Sequence, residues 1–245
     1  MLSTGSITDP YIPLEEKLGN VRRAPEPNVS TPRERFETLM RLHEAVQLSL
    51  LIKERRKRSG MEDSMKVLFI GNSHTYVNDM PEIVARLAKK DGIDCDVTMI
   101  AHGGWFLEQH AAEPETRFNV LYGNYDYVVL QEHAHPFGPE EKMLSAAEKI
   151  GGWIHEAGST AVAYMTWTEK GNEAGQTRMA AAYERMAESL PALLAPVGTK
   201  WWKYQHAHPE IEMYAPDGQH ASLQGSEFAA EVIWNTIRSS FSPKK

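Results

Sequence analysis

Lys66-Val-Leu-Phe-Ile-Gly-Asn-Ser-His-Thr75 is an apolar run that stops on a glycine and a small polar cluster, and its reading decides the fold. Val67 to Ile70 shows no alternation of polar and apolar residues, as expected for a strand covered on both faces. Met80 to Asp91 then places Ile83, Val84, Leu87 and Ala88 at helical spacing. The implied order is strand, tight turn, helix. Gly71 supplies the backbone freedom for a sharp turn. Asn72, Ser73, His74 and Thr75 then stand where ligands bind in open α/β sheets, beyond the carboxyl ends of the strands. Ser73 is therefore a candidate nucleophile. Its plainer reading, a residue that closes a turn or caps a helix, has to be weighed against what the rest of the chain brings to the same edge.

Working outward, Asp94 to Ile100 reads as a second strand ending in Ala101-His-Gly-Gly-Trp105, and Tyr125 to Leu130 as a third ending in Gln131-Glu-His-Ala-His135. A helical stretch from Pro139 to about Ala157 follows. A fourth strand, Thr160 to Thr166, leads into Trp167-Thr168 and a helix over roughly Gly175 to Leu190. A weaker fifth strand lies around Leu193 to Val197. The closing helix, about Ser222 to Ser239, stands behind the loop Tyr214-Ala-Pro-Asp-Gly-Gln-His220. Strands alternating with helices of this length predict a parallel sheet covered on both faces. The expected architecture is a three-layer α/β/α domain over residues 61–245, with a flavodoxin-like parallel sheet of about five strands.

Residues 1–60 read differently. Pro10, Pro13, Pro25 and Pro27 suggest an extended arm. Thr31-Pro-Arg-Glu34 is then a capping box with proline at the first helical position. It opens an amphipathic helix that packs its stripe on the main domain or forms a homodimer contact. This is an N-terminal helical extension with a basic last turn.

Composition narrows the function. The 245 residues carry a formal net charge of -7, which offers no footprint for nucleic acid or an anionic membrane surface. The expected partner is a small molecule. A lone cysteine, Cys95, excludes an intrachain disulfide and a cysteine-based zinc site. No apolar run approaches the ~20 residues that span a bilayer, and no secretory signal opens the chain, so it reads as cytoplasmic.

Each of the first four strands ends in unusual polar or glycine residues, and in a parallel sheet those ends share one edge. Ser73, Gly103, Gln131 and Thr166 converge there. The last loop adds Asp217 and His220, three apart, so that the carboxylate can turn back to one imidazole nitrogen while the other faces the serine. A serine hydroxyl needs a base, the base an orienting acid, and the developing oxyanion preorganised donors, so these are the parts for acyl transfer.

In these blocks the chain resembles the SGNH (GDSL-type) hydrolase superfamily across roughly residues 65–240. The matching segments are Gly71-Asn-Ser-His-Thr75, Gly103-Gly104, Val128-Val-Leu-Gln-Glu132 and Asp217-Gly-Gln-His220, with further likeness at Tyr164-Met-Thr-Trp167 and Ala195-Pro-Val-Gly198. The resemblance implies Ser73 as nucleophile, His220 as base and then acid, and Asp217 as the residue orienting it. The backbone amides of Ser73 and Gly103 would hold the oxyanion. Two positions depart from the pattern. Asn72 replaces the usual aspartate, and Gln131 stands where an asparagine usually donates its amide to the oxyanion. Gln131 can keep that donor role on its longer arm, or be a core glutamine satisfied by backbone groups.

The implied activity is that of a serine esterase acting on a small acyl ester, such as a carbohydrate acetyl ester, without a cofactor. Asn72, His74, Gly104, Trp105, Glu132 and Trp167 are the expected substrate contacts. Two other classes remain open. One is a binding module that keeps the pocket without hydrolysis. The other is a metal-assisted hydrolase using His133 and His135 with His102, His206 and His208, although the chain has no HExxH spacing and metal ligation is the weaker reading.

Overall fold

The computed structural model describes residues 63–241 and the single residue Met40. The arm and amphipathic helix expected over residues 1–60 lie outside the described residues, as does any dimer contact they would make.

The first strand, β1 (Asp63–Gly71), runs parallel to its neighbours in the interior of a five-stranded sheet, one place in from its edge. The others are β2 (Ile93–Ala101), β3 (Tyr127–Leu130), β4 (Thr160–Tyr164) and β5 (Leu193–Ala195), in the order β2-β1-β3-β4-β5. Every pairing is parallel, with Gly71 opposite Ala101 and Ile70 opposite Leu130, so the ends of β1, β2 and β3 lie level. This is the flavodoxin-like order, whose reversal beside β1 opens a crevice at the carboxyl edge.

Successive residues of a strand face opposite sides, and both sides here are covered, which is why β1 reads as continuously apolar. Met65, Val67 and Phe69 pack with Tyr164, Trp201 and Ile233 on one face, and Leu68 and Ile70 pack with Leu130, Met143 and Tyr183 on the other.

Helices fill the outer layers. Next to β1 come the short α1 (Ser73–Tyr76) and then α2 (Met80–Lys90), which carries proline in its first turn and two lysines in its last. Between β2 and β3 stand α3 (Leu107–Ala112) and α4 (Pro114–Tyr122). After β3 and β4 come α5 (Glu140–Glu156) and α6 (Glu173–Ser189). The last two are α7 (Val197–Ala207) and α8 (Leu223–Ser240). Ser222 caps α8 by accepting the Gly225 N–H at 3.1 Å, and Asn172 does the same for α6 with Gly175.

The sequence reading did not anticipate α3, α4 or α7. The first has only six residues, too few to show a period, and α7 presents Trp201, Trp202 and Tyr204 in place of a plain aliphatic stripe. β5 is correspondingly shorter than expected, because Val197 already opens α7. Among the described residues, no helix is long and apolar enough to cross a membrane.

Candidate active site

Ser73 is the first residue of α1, immediately beyond the end of β1. Asn72 sets its position. The Asn72 side chain accepts the His74 N–H at 3.1 Å and caps the helical turn, while its amide donates to the Trp105 carbonyl at 2.9 Å. One buried side chain thus ties the serine turn to the glycine loop that follows β2. The Asn72 N–H donates to Gln131 Oε1 at 2.8 Å, and the Thr75 hydroxyl donates to the same oxygen at 2.9 Å. His110 Nε2 donates to the Gly71 carbonyl at 2.8 Å from inside α3. A side chain at Gly71 would run into Gln131 Oε1 and Thr75 Oγ1, so glycine is required there by close approach rather than by backbone angle.

The opposite wall is the loop before α8. A bridge between Tyr214 and Ala221 closes it, and Gly218 turns it at φ 69°. Asp217 Oδ1 accepts the backbone N–H groups of Gln219 at 2.9 Å and His220 at 3.0 Å. Its Oδ2 accepts from His220 Nδ1 at 2.6 Å, and His220 Nε2 meets Ser73 Oγ at 2.8 Å. The hydrogen bond from His220, helped by the two backbone donors, holds the Asp217 carboxyl down at about 2. From the far side, Trp167 Nε1 donates to the Gln219 carbonyl at 2.9 Å, so the end of β4 also fixes this loop.

Backing the serine is a packed aromatic group. The His74 ring lies 5.0 Å from His220, 4.9 Å from His135 and 5.3 Å from Trp167. Burial, reinforced by the His135 and His220 rings, pulls its pKa down to about 3. His135 is likewise lowered by burial, while its Nδ1 contacts Glu169 at 3.2 Å. A neutral His74 adds no positive charge next to His220.

Two backbone N–H groups, of Ser73 and Gly103, have no acceptor among the described residues, and Gly103 is exposed. They are available to a ligand oxygen. Gln131 is not. Its carbonyl oxygen is taken by Asn72 and Thr75, its amide donates to the Glu132 carbonyl, and the residue is fully buried. The expected oxyanion donation from Gln131 is corrected accordingly: the longer arm folds back to serve the turn.

Four of the six expected substrate contacts, Glu132, Trp167, Asn72 and His74, are buried and are corrected as well. Glu132 is buried and its carboxylate accepts the N–H groups of Leu107 at 3.2 Å and His133 at 2.7 Å, clamping the start of α3 to the end of β3. Burial raises its pKa to about 7. Trp167 is buried and stacks on Trp201 at 4.0 Å, so it supports His74 from behind and presents no open wall. Asn72 and His74 are also buried, leaving Gly104 and Trp105 accessible at the rim, with the Trp105 ring 4.1 Å from His102.

His133 stacks on Phe106 at 4.3 Å, while His206 and His208 pair with Glu173 and Glu210. Among the described residues, no group of three or more His, Cys, Asp or Glu side chains is arranged to hold a metal ion. Sequence reasoning gave no role to His110, whose partner is 39 residues away, or to Glu169.

No family model and no curated protein matches the chain. Among solved structures, it is similar to a candidate SGNH hydrolase from Slackia heliotrinireducens, with 29% identity, a TM-score of 0.63, and coverage of 71% of this chain and 99% of that one. A DUF4886 family protein from Bacteroides uniformis is 20% identical at TM-score 0.58, covering 74% and 88%. An acetyl-xylooligosaccharide esterase variant from Geobacillus is 17% identical at TM-score 0.52, covering 76% and 99%. The fold is that of the SGNH (GDSL-type) hydrolases. That fold agrees with the resemblance read from the sequence.

Proposed function

We propose that the chain is a serine esterase in which Ser73 is the nucleophile, His220 the general base and then acid, and Asp217 the orienting carboxylate. The observation that carries this is the continuous hydrogen-bonded line from Asp217 Oδ2 through His220 to Ser73 Oγ, at 2.6 and 2.8 Å. With Nδ1–H donating to an ionised Asp217, Nε2 is left unprotonated to accept the serine proton.

Ser73 Oγ attacks the ester carbonyl as His220 takes its proton, and the carbonyl oxygen becomes an oxyanion facing the Ser73 and Gly103 N–H groups. His220 then gives the proton to the departing alcohol, leaving an acyl-enzyme. Water activated by His220 releases the acid and restores Ser73. A small acyl group such as acetyl, carried on a carbohydrate, is the substrate class we favour. Support comes from the resemblance to an enzyme named for acetylated xylooligosaccharides.

The test is hydrolysis of p-nitrophenyl acetate by the native chain and by Ser73→Ala. The variant should lose at least about a thousandfold in kcat at an unchanged thermal midpoint. Undiminished turnover by the variant would remove Ser73 from the chemistry, whereas a native chain without turnover would favour the binding-module reading.

A further inference from the structure

We propose that the Tyr76 hydroxyl is a third donor to the oxyanion, completing a site in which two backbone N–H groups supply the others. This rests on the reading of Ser73 as nucleophile. An alkoxide-like oxygen has lone pairs for three donors, and Ser73 and Gly103 account for two.

Tyr76 lies three residues after Ser73 in α1, a spacing that sends both side chains from the same face of the turn. Its hydroxyl comes within 3.1 Å of the point where a Cβ on Gly103 would stand, which puts the phenol against the residue whose exposed N–H has no acceptor among the described residues. No hydrogen-bond partner meets that hydroxyl among the described residues, and the residue is 36% exposed, so the O–H is free to donate at the rim. The absence of a side chain at Gly103 acquires a reason here. A Cβ at Gly103 would crowd the phenol oxygen and require it to shift by a few tenths of an ångström, whereas the left-handed backbone angle in this loop belongs to Gly104 at φ 74°.

The bland alternative is a surface aromatic that merely covers a glycine turn. The two differ in the oxygen alone. A covering ring works equally well as phenylalanine, whereas a donor does not. In the proposed role, the phenol donates a hydrogen bond as charge builds on the substrate oxygen and keeps its own proton throughout. Its effect therefore falls on the transition state and not on ground-state binding.

The experiment is Tyr76→Phe in the full chain, assayed for p-nitrophenyl acetate hydrolysis, for the rate of Ser73 modification by a fluorophosphonate, and for thermal midpoint. The expected result is a fall of about a hundredfold in kcat with KM and midpoint unchanged, the scale seen when one oxyanion donor is removed. Phosphonylation, which also builds negative charge on an oxygen in that site, should slow in parallel. Equal kcat in variant and native chain, with the native chain active and labelled at Ser73, overturns this inference alone. A rise in KM at constant kcat overturns it too, by making Tyr76 a ground-state contact. A native chain that neither turns over ester nor accepts the label overturns it together with the esterase reading.

Discussion

Replacing His74 by phenylalanine should remove a defined part of the protein's sensitivity to acid. In the folded chain the imidazole is held neutral down to about 3, because burial and the neighbouring His135 and His220 rings oppose its charging. In the unfolded chain it takes up a proton at about 6.5. The unfolded state therefore binds the extra proton at intermediate pH. Stability is fully present above the unfolded value and is lost as pH falls from about 6.5 toward 3.

Between about pH 7 and pH 5 the unfolded group moves 1.5 units past its own pKa while the folded one stays neutral, a loss of about 2 kcal/mol at 1.36 kcal/mol per unit. Glu132 works in the opposite sense. Its folded pKa is raised to about 7 by burial, so the folded state keeps a proton that the unfolded state has lost, and stability falls as pH rises from about 4.5 through 7. Glu132 and His135 are common to both proteins and largely cancel in the comparison. Urea denaturation of the native chain and His74→Phe at the two pH values isolates the His74 contribution. The native chain should lose about 2 kcal/mol more than the variant on acidification. A phenylalanine ring keeps the contacts with Trp167 and His220, so any constant offset from the lost imidazole drops out of the difference. The same pH response in both proteins would refute the claim that His74 is buried as a neutral ring.

Two further substitutions examine the supports of the site. Gln131→Leu leaves the Asn72 N–H and the Thr75 hydroxyl without their acceptor in a buried place, and should cost about 1–3 kcal/mol by urea denaturation; an unchanged midpoint would mean that the serine turn does not depend on Gln131. Asp217→Asn should leave the thermal midpoint intact, because the carboxylate is half exposed, yet reduce kcat for p-nitrophenyl acetate by about 10⁴-fold through loss of the correct imidazole tautomer. A loss of only a few-fold would show that the Asp217 contact does not orient His220 during turnover.

Much of this arrangement was legible in the chain because it depends on local rules. Val67–Ile70 announces a doubly covered strand, and parallel strands place their ends at one edge wherever each of them sits in the sequence. Asp217 and His220 are three apart, so their contact follows from a single turn. The parts that escaped depend on distant partners. The role of Gln131 is decided by Asn72, 59 residues earlier, which offers an N–H nearer than any ligand. Glu132 looked like a pocket residue until α3, a helix too short to read, presented Leu107 N–H to it. Trp167 stands at the right edge, yet Trp201 in the unanticipated α7 covers its ring. In each case the chemical type and the edge were readable. The direction of the side chain was not, because it is fixed by packing between elements far apart in sequence.

The central claim is that Ser73 is an activated nucleophile, and intact-mass analysis after incubation with a fluorophosphonate tests it most directly. The native chain should gain one adduct, mapped to Ser73, while Ser73→Ala gains none and His220→Ala labels far more slowly. An unmodified native chain, or equal labelling of native and His220→Ala proteins, would contradict the account.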